Sequence, residues 1–393
     1  MNPTTQTVFD IFQKERRYVV PLFQRQYVWD QENQWEPLWI DLERQAIHAA
    51  EALARQEEPL TTHFLGAVVL NARKTVGLGH PISEIIDGQQ RLTTLQIFLA
   101  ALRDYASTLD QEAADELERL TRNPNRRRDP EGRFKVWPTN HDRPFFTHIM
   151  EAGNREAVAA AAPESRKVAE LPRMCQAYMY FDDRIRAFVE GSNLPETLAE
   201  QSSTERLEGL IYALRTSLVA VIIELEESDD PQVIFETLNA RGEPLLPSDL
   251  IRNYLFLKAS GEREDAEQLY ETYWAPFDNT PAPIHEHKHD DRFWHVKETQ
   301  GRLQRSRIDL FIFHYVTMYA EREVLIGRIF REFQTWYKEG TSGVEPVLSD
   351  MAAKRELFAH LLVPDESTRL LILANRLKSL DTNTPFPILL FLM

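Results

Sequence analysis

The sequence predicts an α+β fold, in which a small mixed β-sheet with helices carries a helical insertion and is followed by a mainly α-helical domain. Short β-branched runs alternate with amphipathic helical patterns in the N-terminal part of the chain. Residues from about 106 to 214 are rich in Ala, Glu, Arg and Leu, which indicates a helical insertion. Ser217 to Leu225 has the composition of a buried strand that could return to the same sheet. Beyond Gly261 the pattern is helical almost throughout.

The first elements are predicted as strand, helix and strand after a short helical start at Val8 to Arg16. Tyr18 to Leu22 is an extended segment, because Pro21 disfavours helical geometry in the residue before it. Apolar side chains recur at helical spacing from Trp35 to Arg55. Phe64 to Leu70 is an apolar run of strand length.

A strand–turn–helix unit comes next and carries the strongest local signal. Ser83 to Ile86 is β-branched, Asp87 and Gly88 break the pattern, and Leu92 to Tyr105 continues as an amphipathic helix. A strand that turns through glycine into a helix leaves unpaired N–H groups where the helix dipole favours an anion. The sequence therefore predicts a phosphate-binding turn.

The side chains of this turn suit the same chemistry. Arg91 has a charged fork that matches phosphate oxygens, Gln89 and Gln90 add neutral donors and acceptors, and Asp87 could hold Mg²⁺ or orient water. The turn is not a Walker motif, because the Gly-rich run and the Lys-Ser/Thr pair are missing. The alternative is that Asp87 caps the helix while the other three side chains lie on a solvated first turn.

A second polar and aromatic segment, Gln24 to Trp29, follows the first predicted strand. Arg25 could bind another phosphate, and Tyr27 and Trp29 offer stacking faces for a base or apolar walls for a modified nucleotide. The alternative is that Val28 and Trp29 belong to the core and that Arg25 forms a surface ion pair.

Composition restricts the classes of function. The 45 Lys and Arg against 61 Asp and Glu give a formal charge of −16, which provides no global attraction to nucleic acid or anionic membranes. The single cysteine, Cys175, excludes an intramolecular disulfide and fits a reducing compartment. No run reaches the ~18 apolar residues that cross a bilayer. We therefore predict a cytoplasmic protein without membrane association. The best candidate for a DNA contact is the basic loop with Arg126, Arg127 and Arg128. The alternative is that this loop is exposed to solvent and binds no nucleic acid.

A histidine-rich run, His285 to Asp291 with His295 nearby, leaves two interpretations open. Three imidazoles could converge on one ion if the run forms a strand. A polar linker between helices would have the same composition, and no surrounding residue is predicted to orient the ligands. We predict no metal site.

A third segment lies around Asn239 to Gly242. Asn and Gly fit the C-terminal turn of a helix, yet Arg241 could equally reach a ligand. Ser248 and Asp249 follow and are suited to cap a helix from Leu250 to Ala259.

Three segments together, in this order, resemble the signature of the GmrS-type domain family. They are Pro21 to Trp29, Ile85 to Leu95, and Phe235 to Leu245 with the Ser-Asp-Leu run that starts at Ser248. The family includes the modification-dependent restriction enzymes GmrSD and BrxU and the phosphorothioate-sensing antiphage protein SspE. The resemblance spans about residues 8 to 260.

This resemblance implies a fold similar to ParB and sulfiredoxin, in which the Asp-Gly-Gln-Gln-Arg turn binds and hydrolyses a nucleoside triphosphate, GTP in several members, with Mg²⁺. In the phosphorothioate-sensing branch the first segment is also implicated in sensing modified DNA. The matching positions are Asp87, Gln89, Gln90 and Arg91 for catalysis, Gln24, Arg25, Gly88, Asn239 and Arg241 for nucleotide binding, and Gln26, Tyr27, Val28 and Trp29 for sensing the modification.

Full-length relatives carry a C-terminal His-Asn-His-type nuclease domain, of which this sequence has no convincing copy. The apolar run Pro385 to Met393 suggests that the chain was cut from a longer one. We therefore expect residues 1–260 to form the NTPase and DNA-sensing domain and residues 261–393 a helical domain that precedes the nuclease.

The predicted function is that of an NTP-hydrolysing, GTPase-like sensor in a modification-dependent antiphage restriction protein. It would recognise modified double-stranded DNA, with phosphorothioate favoured, and regulate DNA nicking by the nuclease domain. A homo-oligomer is left open. The alternatives are a nucleotide-gated DNA-binding module without significant turnover and a ParB-like nuclease.

Overall fold

The computed structural model describes residues 2–21, 24–57, 61–73, 79–125, 129, 131–161, 167–192, 194–226, 229, 246–262, 264–281, 292–300, 303–320, 322–340, 343–364 and 368–392. The chain divides into two compact units, an N-terminal unit Met1–Pro231 and a C-terminal unit Gln232–Met393. The predicted α+β class, with a mixed sheet and a helical C-terminal part, is confirmed. The predicted domain boundary near residue 260 falls within the second unit and stays a prediction.

Within the described residues, a mixed sheet of six strands, in the order β1-β6-β3-β4-β2-β5, forms the centre of the N-terminal unit. The pairs β1–β6 and β3–β4 are antiparallel, and the pairs β3–β6, β2–β4 and β2–β5 are parallel. The run predicted to return to the sheet is β6, which pairs with both β1 and β3. The strands are β1 Asn2–Thr7, β2 Arg17–Val19, β3 His63–Arg73, β4 Ile82–Asp87, β5 Val136–Trp137 and β6 Leu218–Leu225.

Helices cover this sheet, and most of them lie in the predicted insertion. Capping explains several of their starts: Thr7 and Asp10 form a capping box at α1, and Ser202 and Glu205 form another at α9. The helices of this unit are α1 Val8–Gln13, α2 Glu36–Arg55, α3 Gln89–Ala106, α4 Gln111–Thr121, α5 Arg143–Ala152, α6 Arg155–Ala159, α7 Arg173–Val189, α8 Glu196–Ala199 and α9 Ser203–Thr216.

Helix α3 lies in the middle of the core. All its residues except Gln89 and Arg91 are buried, including the polar Gln96 and Arg103. The helix packs against α4 and α7, and it is covered on all sides. Only the first turn of α3 keeps partly exposed side chains, and this turn follows the predicted phosphate-binding glycine, Gly88.

The C-terminal unit is mainly helical, as predicted, around an aromatic core that includes Phe277, Trp294, Phe311 and Phe358. An antiparallel strand pair interrupts the helices, and its polar sequence carries no alternating apolar pattern that would have indicated it. The elements are α10 Pro247–Gly261, α11 Ala266–Leu269, α12 Ala275–Asn279, β7 Lys297–Gln300, β8 Leu303–Ser306, α13 Arg307–Tyr319, α14 Ile329–Gly340, α15 Val344–Leu362, α16 Arg369–Ser379 and α17 Phe386–Phe391.

Helix α10 begins earlier than the sequence suggested. Its first residue is Pro247, whose fixed φ suits that position, so the predicted cap Ser248 lies inside the first turn. The amide of Ser248 donates to the carboxylate of Asp309 from α13, at 2.9 Å. The start of α10 is therefore stabilised by a residue from another helix.

Candidate functional site

The predicted phosphate-binding turn forms as a strand–glycine–helix junction. Strand β4 ends at Asp87, Gly88 adopts φ 92° and ψ 12°, and α3 begins at Gln89. The Gly88 carbonyl accepts the first helical bond from Leu92 at 3.0 Å, and no side chain of the described residues caps the N–H groups of the first turn. The carboxylate of Asp87 accepts from the Gly88 amide, which precedes the first residue of the helix. The junction therefore retains the amide donors that an anion would use.

Gly88 is required here for two reasons. Its positive φ belongs to the left-handed region that favours glycine. In addition, a Cβ at this position would lie 3.0 Å from Val68 Cγ2 and 3.2 Å from the carbonyl oxygen of Ala67. The turn is therefore pressed against strand β3, which lies beside it.

The two glutamines of the turn bind the segment Gln24 to Trp29. The Gln90 side-chain oxygen accepts from the Val28 amide at 2.9 Å, and its nitrogen donates to the Gln26 carbonyl at 3.0 Å. The Gln89 nitrogen donates to the Arg25 carbonyl at 3.2 Å. These three bonds bring the first two predicted motifs together as one structural unit, and they engage both ends of the Gln90 amide.

The same segment is anchored at two further points. Gln24 is buried, and its side-chain nitrogen donates to the carbonyls of Ile85 at 2.6 Å and Ile86 at 3.2 Å, at the end of β4. The Tyr27 amide donates to the Asp142 carboxylate at 2.8 Å. Asp142 was not among the sequence-predicted residues, and nothing in its local sequence connects it to the segment.

Tyr27 is buried rather than presented at the surface. Its hydroxyl is 2.7 Å from that of Thr94, and it accepts from Trp35 Nε1 at 2.9 Å. Val28 is 38% exposed, whereas Gln26 and Trp29 are half-buried. Among the predicted sensing residues, the surface is therefore provided mainly by Val28, Trp29 and Gln26, and Tyr27 holds their backbone in place.

Three charges meet at the turn. Burial raises the pKa of Asp87, against the effects of the Gly88 amide and the guanidinium groups of Arg91 and Arg25. Burial lowers the pKa of Arg91, and the charge of Asp87 opposes that shift. The site therefore brings two cations and one poorly solvated carboxylate to the end of a helix.

Strand β3 supplies contacts that the motif analysis missed. Arg91 Nη1 donates to the Ala67 carbonyl at 2.6 Å, and the guanidinium lies against Gly66, which has φ 108°. Glycine in the interior of a strand pattern signals a bulge or a close backbone approach. That signal was present in the run Phe64 to Leu70.

Other predicted residues cannot be placed in this site. Asn239 and Arg241, the basic loop Arg126–Arg128 and the run His285 to Asp291 lie outside the described residues, so their roles stay predictions. His295 is described and lies with Nε2 3.6 Å from Asp278 Oδ1. Within the described part of the chain, no group of three His, Cys, Asp or Glu side chains could hold a metal ion.

Comparison with known proteins identifies the family. A family model described as the N-terminal domain of the GmrSD restriction endonuclease matches residues 8–256, which is more than half of the chain. The chain belongs to the GmrSD family. A comparison with curated proteins finds no match.

Membership of the GmrSD family confirms the resemblance and connects the chain with modification-dependent restriction and DNA. The phosphorothioate-sensing branch and the similarity to ParB stay predictions. The GmrSD match covers the turn, the segment it binds and strand β3, and it ends within α10. None of the helices in the described ranges has the length and apolar character needed to span a bilayer.

Proposed function

We propose that this chain is the NTP-hydrolysing sensor region of a modification-dependent restriction protein. The triphosphate of GTP or another NTP binds at the turn Asp87–Arg91 together with Mg²⁺. The observation that carries the proposal is the position of Arg91, whose partly desolvated guanidinium lies in the first turn of α3, where no described side chain caps the helix.

Electrostatics explains why this position points to an anionic ligand. A cation near a helix N-terminus is unfavourable by roughly 0.3–1 kcal/mol, and burial adds to that cost. The Asp87 carboxylate compensates only in part, because its own burial raises its pKa. A phosphate group would interact favourably with the guanidinium, the free amides and the helix dipole at once.

The residues of the turn also fit Mg²⁺. This ion is commonly held by one or two carboxylates together with phosphate oxygens and water, and Asp87 supplies such a carboxylate. Bound Mg²⁺ would neutralise charge on the phosphates. Arg91 orients the phosphate oxygens, Arg25 adds a second cation, and the Gln89 oxygen serves as an acceptor for water.

Gln90 provides the link between nucleotide and DNA. Its amide holds the backbone of Gln26 and Val28 while its own backbone belongs to the first turn of α3. A ligand that shifts this turn also shifts the exposed Val28. Nucleotide and modified DNA would then each favour particular arrangements of the first turn of α3 and the segment that it holds. Such a change in the populations of two arrangements is a population shift. The output is control of the nuclease that accompanies this domain in the family.

Phosphate release tests the proposal directly. With GTP or ATP and Mg²⁺, we expect Arg91→Ala to lower release by about 100-fold or more, in line with the loss of a charged transition-state contact. Arg186→Ala is the matched control, because Arg186 is a half-buried helical arginine that pairs with Asp182 at 2.8 Å outside the turn. The control should release phosphate within about twofold of wild type. Equal release by wild type and a folded Arg91→Ala variant would contradict the proposed site.

A nucleotide-gated DNA-binding module without turnover is the second candidate. It is favoured by Gln90, which uses both ends of its amide to hold the neighbouring segment and so has a positional role. Calorimetry that finds tight NTP binding, with no phosphate release over hours, would select this candidate over the NTPase.

A further inference from the structure

Strand β3 contains an irregularity beside the turn. Phe64 pairs with Val219 of β6, and Ala67 pairs with Val221, so β3 has one extra residue in this interval. Gly66 lies in the bulge with φ 108°, a conformation that costs other residues energy. Bulges commonly redirect a strand next to a functional site.

The guanidinium of Arg91 occupies the space that a side chain at Gly66 would fill. A Cβ on Gly66 would lie 2.7 Å from Arg91 Cζ, 2.8 Å from Nη2 and 3.0 Å from Nε. The neighbouring carbonyl of Ala67 accepts from Nη1 at 2.6 Å. One edge of the guanidinium is thus bonded to the strand, and the group packs on bare backbone.

We propose that Gly66 is a positioning residue for Arg91, so that the β3 bulge acts as a seat that holds the guanidinium in its phosphate-binding orientation. The proposal rests on the proposed function of Arg91. Arginine has a long, flexible side chain that loses rotamer entropy when it binds a ligand, and preorganisation reduces that loss. The bulge supplies that preorganisation, while the Ala67 bond engages one of the five guanidinium donors and leaves the others for ligand.

The substitution Gly66→Ala tests whether Gly66 positions the Arg91 guanidinium, and Gly153→Ala is the control. Both glycines have positive φ, 108° at Gly66 and 73° at Gly153, but no described atom lies within 4 Å of a Cβ added at Gly153. Both substitutions therefore put alanine at a positive φ, and only Gly66→Ala also displaces a guanidinium. We expect Gly66→Ala to lower phosphate release by about tenfold or more, and Gly153→Ala to stay within about twofold of wild type.

A thermal-unfolding cycle separates this proposal from the proposed function. Gly66→Ala should lower Tm by about 4 °C more in the wild-type background than in Arg91→Ala, because the clash disappears with the guanidinium. An equal decrease in Tm in both backgrounds would contradict the positioning role of Gly66. Unchanged phosphate release by Gly66→Ala would also overturn it, provided that Arg91→Ala loses activity. Normal release by Arg91→Ala would instead contradict the proposed function, and the cycle would still decide whether Gly66 orients Arg91.

Discussion

Single residues at the turn make structural contacts that their sequence positions do not reveal. Gln89 and Gln90 were expected to present donors and acceptors to a ligand, and the structure uses their amides to bind the backbone of Arg25, Gln26 and Val28. Because these bonds bridge two predicted motifs, they explain at the atomic level why both motifs occur together. Catalytic roles for the two glutamines stay predictions.

The substitution Gln90→Glu tests the structural role of the Gln90 side chain. The substitution keeps an acceptor for the Val28 amide but removes the donor to the Gln26 carbonyl, in a side chain that is buried. We expect a loss of about 1–3 kcal/mol in the free energy of unfolding, measured by denaturant titration, because the bond to Gln26 is lost and a carboxylate is placed in a buried side chain beside the Gln26 carbonyl oxygen. Stimulation of phosphate release by modified DNA should also fall.

Gln176→Glu provides the comparison. Gln176 also donates to a backbone carbonyl, that of Leu171 at 2.7 Å, but lies outside the turn. Its substitution should leave the stimulation by DNA as in wild type. If both variants lose stimulation equally, the link through Gln90 is wrong.

Among the secondary-structure elements, those with strong internal patterns were predicted well. Helix α3 has apolar residues at helical spacing, strand β6 is a nearly continuous apolar run, and both occur where expected. Strand β1 was missed because Asn2–Thr7 is polar and contains Pro3, and its extended form depends on pairing with β6. Strands β7 and β8 were missed for a similar reason: their stability comes from each other rather than from an apolar face.

Packing in the C-terminal unit contains a pH-sensitive group, His314 of α13. Its ring lies 5.1–5.7 Å from those of Phe313, Phe358 and Phe386, and neither ring nitrogen has a hydrogen-bond partner among the described residues. Burial lowers the pKa of His314 from 6.5 to about 3. The folded protein therefore keeps this imidazole neutral where an unfolded chain would protonate it.

Stability should consequently fall as the pH drops from 6.5 towards 3, because the unfolded state then binds a proton that the folded state does not. At pH 5 the cost is roughly 2 kcal/mol, from 1.36 kcal/mol per pKa unit. We expect His314→Phe to remove this part of the pH dependence of unfolding. The same substitution at exposed His360 of α15 should leave it in place. An unchanged slope in His314→Phe would contradict the assignment.

For the whole molecule, the acidic charge requires specificity to come from a local surface. A formal charge of −16 opposes general attraction to DNA, so binding should depend on the modification and not on charge alone. A phosphorothioate sulfur is larger, more polarisable and less hydrated than oxygen, and apolar side chains such as Val28 and Trp29 suit it.

Matched duplexes test this expectation. We expect phosphorothioate DNA to bind at least about tenfold more tightly than unmodified or glucosylated DNA at one stated salt concentration. Val28→Asp should abolish the preference, because it places a charge on the apolar contact. Val168→Asp changes another exposed valine of the N-terminal unit and should preserve it. Equal affinity for all three duplexes would remove the basis for the sensing role.

The sequence by itself determined the class of fold, the strand–glycine–helix turn and the family, because each can be read from short segments, whose residues are neighbours in the chain, and from the order of those segments. Only the tertiary structure decided what the turn contacts. Gln90 meets Val28 across 62 positions, and Tyr27 meets Asp142 across 115. Such partners are selected by the packing of distant elements, and so is the seat that Gly66 makes for Arg91. Local patterns carry no record of these pairings, because the free energy that selects them arises only when the whole sheet and its helices assemble.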